Sequence, residues 1–258
     1  MSTVFKNRLT KQIIFYLCIL IIWQAVVILK IWPEYIFPSP LKVFQAVLKG
    51  FGDFSFVFAI LISIKRILIG YGISILIGGA LGVLMYKFRT LDETIGSLIL
   101  GIQTLPSICW LPLALIWFGL NERAIIFVVI MGALFSITMA VDAGFKSIPL
   151  IYMQAGRNMG AYSITLLRKV MLPASFPALL LGFKQGWSFA WRSLMAGELL
   201  FVSLGLGYLL MVGRELNDMA QVIAVMLVIS AISIVIDKLV FGRMEQLVKN
   251  RWGYRRKN

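Results

Sequence analysis

Histidine is absent from the 258 residues, and cysteine occurs twice, at Cys18 and Cys109. Without imidazole, and with both thiols inside apolar stretches, the chain offers no His/Cys metal cluster and no Cys-His nucleophile pair. The two thiols read as small buried hydrophobes. No G-x-x-x-x-G-K-[ST] loop is present either, so the chain has no phosphate-cradling motif with which to hydrolyse a nucleotide itself. Acidic residues are few, 11 against 25 Lys and Arg. Those in apolar surroundings, Asp142, Asp218, Asp237 and Glu198, fall near the ends of predicted helices. A transporter driven by an ion gradient would want carboxylates at mid-depth, and a membrane-embedded enzyme would want a paired acid and base. Both readings are weakened, no catalytic residue, metal or cofactor is assigned, and the energy for any work must come from elsewhere.

What is abundant is apolar surface. Hydrophobic residues make up 60% of the chain and charged ones 14%, and the mean hydropathy is +0.91, outside the range of a soluble domain. The chain is read as an all-α integral membrane protein. A spanning helix needs about 20 apolar residues, and six segments qualify: 12–31, 67–86, 95–118, 124–141, 177–201 and 219–240. The first follows Lys6, Arg8 and Lys11, but its apolar run from Ile13 to Leu29 exceeds a signal-peptide core and no small-x-small cleavage site precedes Trp32-Pro33, so it reads as a retained helix.

The net charge of +14 would suggest nucleic acid in a soluble protein; here its placement decides. With six crossings, Lys6, Arg8, Lys11, Lys87, Arg89, Lys146, Arg157, Arg168 and Lys169 fall on one side together with a C-terminal tail that includes Lys238, Arg243, Lys249, Arg251, Arg255, Arg256 and Lys257. Lys30, Lys42, Lys49, Lys65, Arg66, Arg123 and Arg214 fall on the other. The richer side is the cytoplasmic one, which predicts both termini inside and no nucleic-acid partner.

Between the first two spans, Trp32 to Pro40 is a proline-rich connector that cannot be helical throughout. Residues 41–66 show Leu41, Phe44, Val47, Leu48 and Phe51 at helical spacing, interrupted by Gly50 and Gly52, which predicts an interfacial helix leading to Lys65-Arg66 and the next span. Gly70, Gly72, Gly78, Gly79 and Gly82 in that span point to close helix packing. Pro106 and Pro112 interrupt the third span, and such breaks are tolerated at membrane depth where a cavity or neighbours satisfy the backbone. A translocation pathway lined by Gln103, Ser107 and Trp110 is one reading of that break; kinks that only shape packing are the other.

From Val141 to Ala174 the chain leaves the membrane for a stretch too short to be a domain. Pro149 can start a short helix, Gly160 can end it, and Tyr162 to Met171 can form a second that stops at Leu172-Pro173. Small residues at Ala155, Gly156, Gly160 and Ala161 would let a partner's groove close on the backbone.

These residues resemble the cytoplasmic motif of bacterial ATP-binding-cassette (ABC) importer permeases, E-A-A-x-x-x-G, nine residues, I-x-L-P. Gln154-Ala155-Gly156, Gly160 and Val170-Met171-Leu172-Pro173 match at full spacing, departing at Gln154, Gly156 and Val170. Phe37-Pro38-Ser39-Pro40, Leu111-Pro112-Leu113-Ala114, Trp117-Phe118-Gly119, Ala196-Gly197-Glu198-Leu199 and Gly205-Leu206-Gly207-Tyr208 are similar to the branch that moves nitrate, sulfonates and taurine. The resemblance implies the six-helix type I (MetI-like) importer permease fold with cytoplasmic coupling helices, divided as 1–55, 56–241 and a basic tail 242–258. It further implies two ABC ATPase subunits that bind the ATP, a second permease subunit in a homodimeric or pairwise pore, with the homodimer favoured, an extracytoplasmic solute-binding protein, and a bacterial cytoplasmic membrane. Gln154 replaces a carboxylate that in the family can pair with a basic group of the ATPase, turning a charge-assisted bond into a neutral one.

Charges inside the bilayer cost roughly 2.5–3.5 kcal/mol on insertion scales, so Lys184 and Arg192 in the fifth span are pointers to function. Arg192, with Trp187, Ser188 and Trp191 around it, predicts a pathway that favours an anion. A structural arginine, capped by backbone carbonyls or neutralised by an acid such as Glu198 from a neighbouring helix or subunit, is the alternative, and vitamin-precursor substrates of the same branch would need no cation.

Overall fold

The computed structural model describes residues 8–200 and 204–251, and every regular element among them is helical. Lys6 and the tail residues Arg255, Arg256 and Lys257 lie outside the described residues. The chain begins with α1 (Arg8–Ile28) and α2 (Pro40–Gly52). Pro40 occupies the first turn of α2 and the Ser39 hydroxyl accepts the Lys42 amide, the usual chemistry of a helix start. α3 (Ser55–Lys87) then runs unbroken for 33 residues. The interfacial stretch predicted over 41–66 is therefore corrected. It stops at Gly52, and residues 55–66 belong to the membrane helix. Lys65 and Arg66 do not mark its boundary, because both are matched by acids from other helices, Glu122 and Glu198.

The third passage is α4 (Arg89–Leu91), a π-helical turn over Asp92–Gly96, α5 (Ser97–Gln103), a 3-10 turn over Ser107–Trp110 and α6 (Leu111–Phe118). Its two halves meet at 101° across Thr104-Leu105-Pro106, so the proline break foreseen from the sequence is a full corner. α7 (Glu122–Lys146) is capped by the Asn121 side chain on the Arg123 amide, and α8 (Leu150–Asn158) follows. α9 (Ser163–Leu166), a π turn over Leu167–Met171 and α10 (Leu172–Leu200) form one continuous 38-residue helix. The expected stop at Leu172-Pro173 does not occur; the wider π turn directly ahead accommodates the missing proline donor. α11 (Leu206–Glu215), α12 (Met219–Ile236), a third π turn over Asp237–Phe241 and α13 (Gly242–Arg251) complete the chain. Met219–Val248 is one candidate passage, so Asp237 sits well inside a helix and not at its end, with Lys184 as its counter-ion at 2.9 Å.

The chain divides into two compact units, Met1–Ile60 with Leu204–Ser230 and Leu61–Ser203 with Ala231–Asn258. In the first, the Trp23 indole donates to the Pro38 carbonyl at 3.0 Å, Phe37 packs between Trp23 and Trp32, and Lys42 pairs with Glu34. The proline-rich connector is thus pinned against α1. Gln221 donates to the Leu209 carbonyl and ties α11 to α12.

The second unit is built on α7 and α10. Gly132 meets Ser193, Gly186 meets Ile137, Gly182 meets Ala140 and Gly144 meets Leu179, so numbers rise on one helix as they fall on the other, and the pair is antiparallel. α3 runs parallel to α7: a Cβ added at Gly70 would lie 2.6 Å from Val129, at Gly78 2.8 Å from the Leu134 carbonyl, and at Gly82 2.7 Å from the Thr138 carbonyl. Because α3 and α7 are parallel, the chain between Lys87 and Glu122 must return along the whole length of α7, about 37 Å at 1.5 Å per residue. The bent segment is therefore a passage, and six crossings stand. The glycine packing read from the sequence is confirmed at positions 70, 78 and 82, whereas Gly72 and Gly79 face open space. A Gly82→Leu chain is expected to express poorly and to lose helix packing, since the added atoms meet backbone that cannot move aside; the check is detergent-extracted thermal stability beside Gly79→Leu, which should be close to wild type.

Cys18 and Cys109 are exposed on the protomer, correcting their assignment as buried hydrophobes. In a membrane chain an apolar segment turns side chains outward as readily as inward, because lipid accepts them.

Candidate functional site

The corner of the third passage opens a cavity of about 320 Å³ in the second unit. Gln103 and Ser107 flank the break, Trp110 stacks on Phe135 with centroids 6.3 Å apart, and Arg192 and Ser193 reach in from α10. Breaking a helix inside a membrane frees backbone donors and acceptors, and a polar cavity is where they can be tolerated. Arg192 has no ion-pair partner among the described residues, and its guanidinium lies 5.4 Å from the Phe189 ring centre. Glu198 of the same chain makes no ion pair with Arg192 among the described residues; it is fully buried against Arg66 at 2.9 Å.

Of the seven residues predicted to line a pathway, Gln103, Ser107, Trp110 and Arg192 share this cavity. Ser188 is exposed one turn before Arg192 and donates to the Lys184 carbonyl. Trp187 and Trp191 point the other way: they stack on each other at 6.3 Å, Trp187 meets Tyr71 edge-on at 5.2 Å, and both are buried. Both are packed inside the second unit, away from the cavity, and the sequence signal that grouped them with Arg192 was proximity along the chain, which on a helix does not put neighbours on one face. Gln185, Ser188 and Arg192 form an exposed stripe along α10, a polar face that lipid would not accept.

The second site is α8 and the turn after it. Pro149 precedes α8, and Gly160 ends it with φ +80°, a conformation that suits glycine; Ala161 donates back to the Gly156 carbonyl at 2.9 Å. Gln154, Ala155, Gly160, Leu172 and Pro173 are exposed, as a docking surface requires. Gly156 and Ala161 are buried, and a Cβ on Gly156 would lie 2.8 Å from Val170 and 2.9 Å from Leu166. The missing side chain at Gly156 lets α8 close on its own following helix, and the burial of both residues sets them back from the exposed surface on which a partner is expected. The sequence reading missed the apolar side chains around them: Leu150, Ile151, Met159, Tyr162 and Ile164 stand exposed, Met159 at 87%. Such a cluster suits contact with a protein or with the membrane surface, and it was legible as apolar residues inside a segment otherwise read for its small ones.

The model of the family described as binding-protein-dependent transport system inner membrane component matches residues 70–251. The chain belongs to this family. The permease is 37% identical over 196 residues to a putative ABC transporter permease of Methanocaldococcus jannaschii, covering 76% of this chain and 72% of the relative. It is 27% identical over 224 residues to the taurine transport system permease TauC of Escherichia coli, covering 85% and 82%, and 21% identical over 257 residues to the nitrate import permease NrtB of Synechocystis, covering 96% and 92%. Among solved structures, an inward-facing MetNI methionine ABC transporter superposes with a TM-score of 0.64 at 20% identity, over 76% of this chain and 96% of that one, a likeness of fold. The permease therefore has the type I, MetI-like importer fold and is a multi-pass inner-membrane component of a binding-protein-dependent importer.

Proposed function

We propose that this permease moves a small oxyanion, of the nitrate, sulfonate or taurine kind, into the cytoplasm, driven by ATP hydrolysis on a partner subunit. The observation that carries the reading is Arg192: a cation without a counter-ion among the described residues, in a polar cavity at the corner of a broken passage. An anion supplies the missing charge. Taurine, nitrate and bicarbonate are the solutes named for relatives, which supports the same class. Two ABC ATPases dock on the surface of α8 through Gln154, Ala155, Gly160, Leu172 and Pro173 and the apolar side chains beside them. The polar stripe of α10 faces a second copy of the permease, so that a homodimer encloses the pathway, and a solute-binding protein delivers from the other side. Residues 56–241 form the transport domain, preceded by 1–55 and followed by the basic segment 242–258, and both termini are cytoplasmic.

The test is to purify the permease with its ATPase and binding protein, place the complex in vesicles, and follow ATP hydrolysis with taurine, nitrate, bicarbonate and a pyrimidine precursor. Stimulation by one of the anions is expected, and stimulation by the precursor alone would replace the anion reading with that of a vitamin importer. Arg192→Gln should lower uptake of the stimulating anion at least about tenfold, the equivalent of roughly 1.4 kcal/mol, with ATPase retention unchanged. Unaltered uptake by that variant would remove Arg192 from the pathway.

A further inference from the structure

The α8 surface and the Arg192 cavity lie at different places in the fold, and something must carry movement from one to the other. Lys146, the last residue of α7, stands three residues before Pro149 and the start of α8. Its ammonium makes two ion pairs of 2.7 Å, one to Asp142 a turn back on α7 and one to Asp92, distant in sequence. Asp142 is 3% exposed, and its second carboxylate oxygen has no hydrogen-bond partner among the described residues. Lys146 is thus held by a buried charge that needs it. The end of α7 is itself rigid, since Phe145 is buried and meets Tyr86 of α3 edge-on at 5.5 Å.

Asp92 is the first residue of the π turn Asp92–Gly96, from which α5 runs directly to Gln103 at the corner of the cavity. π turns inside helices are frequent at functional sites. A carboxylate at the mouth of such a turn, gripped by a lysine on the helix that leads into α8, is a mechanical coupling point. The second link, from α5 to the cavity, is covalent and short.

We infer that the Lys146–Asp92 ion pair transmits displacement of α8 to the broken third passage, making both residues positioning groups for transport. This rests on the reading that an ATPase docks on α8. Breaking the pair should leave docking and hydrolysis in place while severing their effect on the cavity. Asp92→Asn is the clean variant, because it keeps the buried Asp142–Lys146 pair.

The readout needs no transported solute. Ser107 is replaced by cysteine in a chain carrying Cys18→Ser and Cys109→Ser, the complex with its ATPase is reconstituted, and labelling of the new thiol by a charged maleimide is timed with and without ATP and vanadate. In the parent complex the rate is expected to change at least about fivefold; with Asp92→Asn the change should fall below about twofold while the ATPase stays bound and basal hydrolysis continues, and Lys146→Arg, which keeps both pairs, should behave as the parent. A purely structural ion pair would lower thermal stability and leave the ATP response intact. A full ATP response in Asp92→Asn overturns the inference, and if that chain is unstable, a full response in Lys146→Met does the same. A parent complex that binds no ATPase would instead remove the docking reading, and the link with it.

Discussion

Met159→Asp should leave the permease in the membrane and strip it of its ATPase. Met159 is the most exposed of the apolar side chains on and beside α8, and on the docking reading the ATPase covers it. Burying such a side chain is worth about 1.5–3 kcal/mol, and a carboxylate held in the same interface adds a desolvation penalty, so a loss of roughly a hundredfold in affinity is expected. Co-purification against the wild-type chain reads it directly. Gly160→Trp should fail in the same assay for two reasons: its φ of +80° disfavours any side chain, and the space outside it is open, so the indole would project into the partner. Gln154→Glu restores the carboxylate of the family pattern and should hold the ATPase at least as well. Normal retention by Met159→Asp and Gly160→Trp together would show that the interface lies elsewhere.

The largest effect on stability is expected from Glu198→Ala. Both carboxylate oxygens of this fully buried glutamate accept the Ser63 hydroxyl at 2.8 Å, and Oε1 accepts Arg66 Nη1 at 2.9 Å. The pair fastens α10 to α3 near the end where Glu122 opens α7, and Glu122 reaches Arg66 only at 3.5 Å. Removing Glu198 takes from a buried guanidinium its shortest carboxylate contact, and breaking a buried pair typically costs about 3–5 kcal/mol. Arg66→Met combined with Glu198→Met should recover much of that loss, since an apolar pair of similar volume needs no compensation. Melting of the detergent-solubilised single and double variants separates the two situations; a double variant no more stable than Glu198→Ala would mean that the site depends on its polar contacts as a unit.

The spans were legible because a bilayer imposes one demand, length of apolar chain, and the sequence states it directly. What could not be read was how charges at the ends of those spans are matched. Lys65 and Arg66 look like a boundary until Glu122 and Glu198 are seen beside them, and Asp237 looks terminal until Lys184 is found across from it. Such pairs join residues far apart in the chain, and no local pattern encodes them. The same holds at the candidate sites. Glycine at 156 carries the right composition for docking, but Leu166 and Val170 occupy the space beside it. Arg192 was visible as an intramembrane charge; that Trp187 and Trp191 turn away from it follows from helix geometry once α10 is packed on α7.

The corner at Thr104-Leu105-Pro106 bears also on how the chain is made. The stretches on either side, Arg89–Gln103 and Ser107–Phe118, reach about 22 Å and 18 Å as helices, each short of a hydrocarbon core of about 30 Å. Neither half can be threaded through the insertion channel and released into lipid as a finished passage. Trp110 packs on Phe127 and Phe135 of α7, so this half of the passage takes up its packed position once the following helix is beside it.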